Sequence, residues 1–236
     1  MKSKTLLASL IFTTLLVGCD QSTQQTAAAP AEKPKTPVQR RGDIASDYRY
    51  SLQTDGPDIC LRRVVEILGK ETKVTSVKSF FGTGEALSSS PAFVTPKGVL
   101  KTCSVEYQDP QDGKKLLSLD MDAFSGEFKA PVPVKITVTG NADSFKLDDY
   151  LIALSKVDAA AIKPFLDGKK SWLDTYFSEH ALYSVTLNEP GPFNDKHVLS
   201  IRMDGLLTSN GINKYVTASL SMDGKRVIKD GFKAGK

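Results

Sequence analysis

Val134, Ile136 and Val138 alternate with Lys135, Thr137 and Thr139. Eighty-two residues further on, Val216, Ala218 and Leu220 alternate with Thr217, Ser219 and Ser221. Two-residue alternation marks strands with one buried and one wet face. Similar runs predict a meander of strands near 101–108, 115–123 and 132–139, and a second near 181–188, 196–207 and 213–222. Asp112-Gly113 and Asn210-Gly211 fall in the turns, and Asp223-Gly224 closes a last hairpin into Arg226–Ile228. Such pairs tolerate the positive φ that tight hairpins demand.

The two meanders also share residues. SVEYQDP (104–110) matches SVTLNEP (184–190) at Ser, Val and Pro, and LSLDMD (117–122) matches LSIRMD (199–204) in four of six positions. The blocks keep their order, which points to an internal duplication. A helix is expected before each meander. DICLRRVVEILGK places Cys60, Val64, Ile67 and Leu68 on one face over 58–69, with Asp58 as N-cap. Residues 147–157 supply its counterpart. A further helix over 170–180 puts Trp172, Leu173, Tyr176 and Phe177 together, and Pro164 is expected to break any helix running from Asp158. The fold class is therefore α+β: two similar tandem halves, 43–142 and 143–236, each a helix packed on an antiparallel β-meander. Joining edge to edge and separate folding both remain open on this pattern.

The first residues follow another logic. Lys2 and Lys4 precede an apolar run from Thr5 to Gly18. As a helix, that run reaches roughly 21 Å, short of the ~30 Å hydrocarbon core, so it reads as a secretory signal peptide over 1–18. It ends in Leu16-Val17-Gly18-Cys19, which resembles the lipobox of bacterial lipoproteins. The resemblance covers only these first residues. It implies cleavage before Cys19, acylation of its thiol and amine, and a periplasmic address on the cell envelope. Two or three acyl chains make a durable anchor where one is marginal. Asp20 resembles the signal that retains such proteins at the inner membrane; outer-membrane placement stays open.

Residues 19–42 are rich in Gln, Thr, Ala, Pro and Lys and hold almost nothing bulky. Such a stretch is expected to be a disordered tether. Charge changes little in this picture. The formal +4 resides in the leader and tether, and residues 43–236 come to about zero, which gives no footprint for nucleic acid.

With Cys19 lipidated, Cys60 and Cys103 are left as a pair in an oxidising compartment. Cys60 lies on an apolar helix face, and Cys103 shares a strand face with Val105 and Tyr107. A disulfide is expected. Two buried thiols are the rival, and a metal site lacks further ligands at suitable spacing.

Reaction chemistry finds little support. His180 is placed at a helix end and His197 at a strand start, and no Gly-x-Ser-x-Gly elbow surrounds any serine. Asp120 and Asp122 share a polar strand face, but Arg202 and Asp204 replace them in the repeat. Residues 109–113 lack the alternating oxygens of a calcium loop, and Gly82-Thr83-Gly84 lacks the rest of a phosphate loop. No catalytic residue, metal or cofactor is assigned. Phe80, Phe81, Phe93 (in the proline-punctuated segment 86–98) and Phe193 are the candidate partner-contact residues, since loop aromatics can anchor proteins. The expectation is a membrane-anchored, non-catalytic protein-binding module, acting as an inhibitor or immunity protein or as an accessory subunit of an envelope complex. Alternatives are a lipid- or glycan-binding lipoprotein with a cleft near Trp172 and Phe177, and an envelope hydrolase.

Overall fold

The computed structural model describes residues 56–89, 94–122, 125–138, 142–191 and 195–233. The leader, Cys19, the tether, Phe93 and Phe193 lie outside the described residues. The order is α1 (Ile59–Leu68), β1 (Lys73–Phe81), β2 (Leu100–Gln108), β3 (Leu116–Asp120), β4 (Val132–Val134) and β5 (Ile152–Ala153). It continues with α2 (Ile162–Tyr176), β6 (Phe177–Asn188), β7 (Val198–Leu207), β8 (Asn213–Ser221) and β9 (Val227–Asp230). The fold is α+β: among the described residues, two α-helices lie on one antiparallel nine-stranded sheet of order β4-β3-β2-β1-β6-β7-β8-β9, with β5 beside β1.

The two expected meanders do not pair directly: β1, a strand outside both, lies between β2 and β6 and joins them into one sheet. Val77 of β1 pairs with Val105 on one side and Leu187 on the other, so both runs share one ladder. The matched sequence blocks fall on β2 and β6, then on β3 and β7. The order of strands about the junction instead sets β6 opposite β1, so the sequence match runs one strand out of step with the sheet.

Alternation places Val77, Val105, Leu119, Val185, Leu187, Leu199, Ile201, Ala218 and Leu220 on one buried face. Both helices cover it: Ile59, Cys60, Leu61 and Val64 of α1 and Ile162 and Leu173 of α2 join the same core. Cys60 and Cys103 meet there at disulfide distance, with Cα atoms 5.4 Å apart, which fastens α1 to β2.

Several local expectations need correction. Residues 147–157 form no α-helix. They make two short 3₁₀ turns around β5. Leu154 N–H donates to Thr72 O and Ser155 N–H to Lys70 O, so the approach to β1 takes donors a helix would have used. Leu154 is thereby buried in the core. Pro164 does not break the second helix; it stands in the first turn of α2, where N–H groups have no intrahelical acceptor to lose. That helix starts earlier than expected and stops at Tyr176, with Phe177 extended. Thr208, from the β7–β8 turn, ends it by donating through its backbone N–H to Tyr176 O and through its hydroxyl to Thr175 O. The strand expected over 132–139 pairs only through Val134, in keeping with Pro131 and Pro133, which lack a donor.

Candidate binding surface

The face opposite the helices is mainly polar, with many short hydroxyl side chains. Ser104, Glu106, Ser118, Thr186, Ser200, Thr217 and Ser219 occupy its registered positions. Among the described residues, neither α1 nor α2 packs on it. At one end, the described parts of 135–150 lie against Glu106, Leu116 and Val134 around a cleft of about 380 Å³. There the Glu189 carboxyl is raised above its ordinary value, first by lost hydration and then by the Glu106 charge, with Lys78 pulling the other way.

The other part of this face carries a stack of aromatic rings and one guanidinium. A register shift between Leu182 and Ser184 in β6 brings Tyr183 onto the open face beside Ser184. Its ring meets Phe80 of β1 edge to face, with centroids 5.6 Å apart. Arg202 of β7 lies with its guanidinium 4.3 Å from the centroid of Tyr183 and 4.3 Å from that of Tyr215 on β8. Asp204 fixes it from the same strand, accepting from Nε at 2.7 Å and from Nη2 at 3.1 Å. This pair holds the Arg202 proton more firmly than usual, the Asp204 hydrogen bond being the main cause. Four adjacent strands thus supply Phe80, Tyr183, Arg202 and Tyr215 in one row.

The row contains one of the expected contact residues. Phe80 is half-buried on the open face, whereas Phe81 is buried in the core and presents nothing to a partner. The missed members are Tyr183, Arg202 and Tyr215. A signal for Arg202 was present: it stands where the repeated block has Asp120. The Tyr183 position depends on a bulge that two-residue counting does not reveal.

The remaining candidates do not converge. Asp120 is exposed opposite Ser104, while Asp122 turns into the following loop and accepts from Ser125 N–H. His180 lies in β6, not at a helix end, and its Nε2 is 2.9 Å from Asp174 Oδ1. Lys170 and then His180 hold the Asp174 carboxyl below the ordinary carboxylate range. The neighbouring cleft, of about 260 Å³, is lined by side chains without a hydroxyl or thiol. His197 is buried just before β7 and reaches Tyr150 O at 3.1 Å. Trp172 and Phe177 pack with Tyr176 and Phe232 in an aromatic cluster. Among the described residues, no three His, Cys, Asp or Glu side chains gather as a metal site, and no helix is long and apolar enough to cross a membrane.

Compared with models of protein families, with curated proteins and with solved structures, the chain finds no match.

Proposed function

We propose that this chain is a lipid-anchored protein of the periplasmic face of the envelope that binds another protein through the open face of its sheet. The observation that carries the reading is the Phe80–Tyr183–Arg202–Tyr215 row, held rigid by Asp204. Tyrosine and arginine are the side chains that most often dominate protein interfaces, and Ser and Thr around them offer adaptable hydrogen bonds. Arg202 already has its counter-charge, so the row offers flat rings and a stacked guanidinium rather than a free cation. The lipobox-like Leu16–Cys19 and the proline-bearing tether fit the anchor, and acylated Cys19 is its contact with the bilayer. The partner is an envelope protein: a hydrolase that an inhibitor would block, or a component of an assembly machine.

The tandem-half reading belongs to the same proposal. Each half is one helix followed by four strands, α1 with β1–β4 and α2 with β6–β9, joined through β1 and β6. In that frame the row straddles the junction, so both halves contribute to it.

The test is mild crosslinking of the full-length protein in its own membranes, with wild type compared against an Arg202→Ala/Tyr215→Ala variant of unchanged melting temperature. A specific crosslinked protein lost in the variant supports the reading, and its identity as hydrolase or assembly component decides between the two versions. Equal capture by both forms, or no crosslinked partner at all, removes the open face from consideration. An N-terminal peptide lacking acyl chains at Cys19 removes the anchor.

A further inference from the structure

We propose that the cleft where β7 begins and β8 ends binds a phosphate-bearing anion, held by Lys156, Lys196, Lys225 and Arg226. These four cations come from separate places: the turn after β5, the approach to β7 and the β8–β9 hairpin. All line one cleft of about 400 Å³. None makes an ion pair among the described residues, whereas the lysines of α2 are matched: Lys163 with Asp167, Lys169 with Asp230, Lys170 with Asp174. Residues 43–236 are close to neutral as a whole, so four positive charges against one carboxylate around one hollow are a local asymmetry that net charge conceals.

The one acid lining the cleft, Asp223, stands against four cations and faces chiefly Lys225, so a positive surplus remains. Asp223 Oδ1 accepts from Ser221 Oγ at 2.6 Å and from Lys225 N–H at 3.2 Å, which commits it to the hairpin turn. The hairpin itself is fastened in place: Gly224 stands at φ +66°, and a Cβ there would come 2.1 Å from Ala161 Cβ. Two of the four cations therefore sit on a hairpin packed against the chain before α2.

The chemistry favours phosphate over carboxylate. A guanidinium fork matches two phosphate oxygens, and three ammonium groups around it suit a ligand of more than one negative charge. Met222 and Ile228 line the same cleft and give an organic substituent on the phosphate something apolar to rest against. A soluble phosphate ester and the headgroup of an anionic phospholipid share this chemistry. The cleft is separate from the open-face row, since Arg202 lies four residues along β7 from Val198, about 13 Å.

The experiment is amine footprinting of the full chain by mass spectrometry, reading Lys156, Lys196 and Lys225, with Lys163 and Lys170 as internal controls. One arm titrates inorganic phosphate. The other places the protein in phosphatidylcholine vesicles with and without phosphatidylglycerol. Saturable protection of the three cleft lysines by phosphate, lost at Lys156 and Lys225 in a Lys196→Gln/Arg226→Gln variant, supports a site for soluble phosphate. Protection only in phosphatidylglycerol vesicles, lost in the same variant, assigns the headgroup as the source. Protection shared with the control lysines, protection surviving in the variant, or no protection in either arm overturns the proposal. Should that variant fold poorly, the wild-type contrast between cleft and control lysines still decides.

Discussion

Arg202 holds its guanidinium 4.3 Å from the ring centroid of Tyr215, a tyrosine 58% exposed on the open face. Tyr183 lies against the same guanidinium, and Asp204, only 13% exposed, grips it through two hydrogen bonds. A large ring left in solvent usually sweeps several rotamers; this one has a fixed neighbour to stack on. The stack itself contributes modestly to folding, about 0.5–1 kcal/mol for an exposed cation–π pair. Arg202→Lys keeps the charge but loses both the fork and the flat surface. It is expected to lower partner capture about as strongly as Tyr215→Ala, while either variant unfolds within about 1 kcal/mol of wild type. Denaturant titration and crosslinking yield measure the two effects. Full capture by Arg202→Lys would show that charge alone was being used.

Gly205 offers a test of the buried side. It lies in β7 opposite His180, and a Cβ built there would fall 2.5 Å from the Phe177 ring and 2.8 Å from Glu179 O. Phe177 is buried and in contact with Trp172 and Tyr176, so it has little room to retreat. Gly205→Ala is expected to destabilise by about 1–3 kcal/mol, the usual range for overpacking, although alanine favours folding elsewhere through its smaller chain entropy. Chemical denaturation reads it. A stability equal to or above wild type would mean that the Phe177 cluster is looser than its geometry implies.

What the amino-acid pattern disclosed follows the range of the forces involved. Strand alternation is local, and it placed β2, β7 and β8 to within about two residues at each end; it ran β3 past its end, began β6 four residues late and did not place β1 or β5. The helix at Ile59–Leu68 followed from spacing and from Gly69 at its end, but Asp58 makes no side-chain cap and pairs with Arg62 instead, and Ile67, expected on the apolar face, is exposed. Errors arose where distant backbone decides. Residues 147–157 have helical spacing, yet Thr72 and Lys70 carbonyls draw off their donors. Residues 177–180 continue the apolar face of α2, yet Thr208 caps the helix at Tyr176. The aromatic row on the open face was harder still, because Phe80, Tyr183, Arg202 and Tyr215 come from four strands whose neighbours only the sheet order reveals.

His197 makes stability depend on pH. Burial pushes its pKa below the ordinary histidine value, against the smaller opposing pull of the Tyr150 and Thr75 backbone acceptors. The unfolded chain therefore binds its proton first, near a pKa of about 6.5, while the folded chain resists it. Stability from this group is complete above that value and declines as pH falls through it toward the lower folded-state pKa. Melting temperatures are expected to drop more steeply between about pH 7 and about pH 5 in wild type than in His197→Gln, which cannot titrate. Parallel slopes in the two proteins would show that carboxylates alone produce the acid sensitivity.

The Cys60–Cys103 link bears on both compartment and fold. It ties the first turn of α1 to β2 across 43 residues of sequence. Closing a loop of that length contributes about 4 kcal/mol in the chain-entropy account, since the unfolded chain loses the freedom the crosslink denies it. Reduction alone would leave two thiols in an apolar core, where both sulfurs remain well packed. Loss on reduction or on Cys60→Ala/Cys103→Ala exchange is therefore expected to appear chiefly as destabilisation, by about 3–5 kcal/mol with the alanine cavities included. Denaturant midpoints with and without reductant give the first comparison, and the alanine variant gives the second. Disulfides persist chiefly in oxidising compartments, which agrees with the proposed address. Thiol labelling of the denatured, unreduced protein isolated from its source cells should mark neither Cys60 nor Cys103. Strong labelling of both would contradict the periplasmic address along with the bond, whereas labelling only after reduction agrees with each.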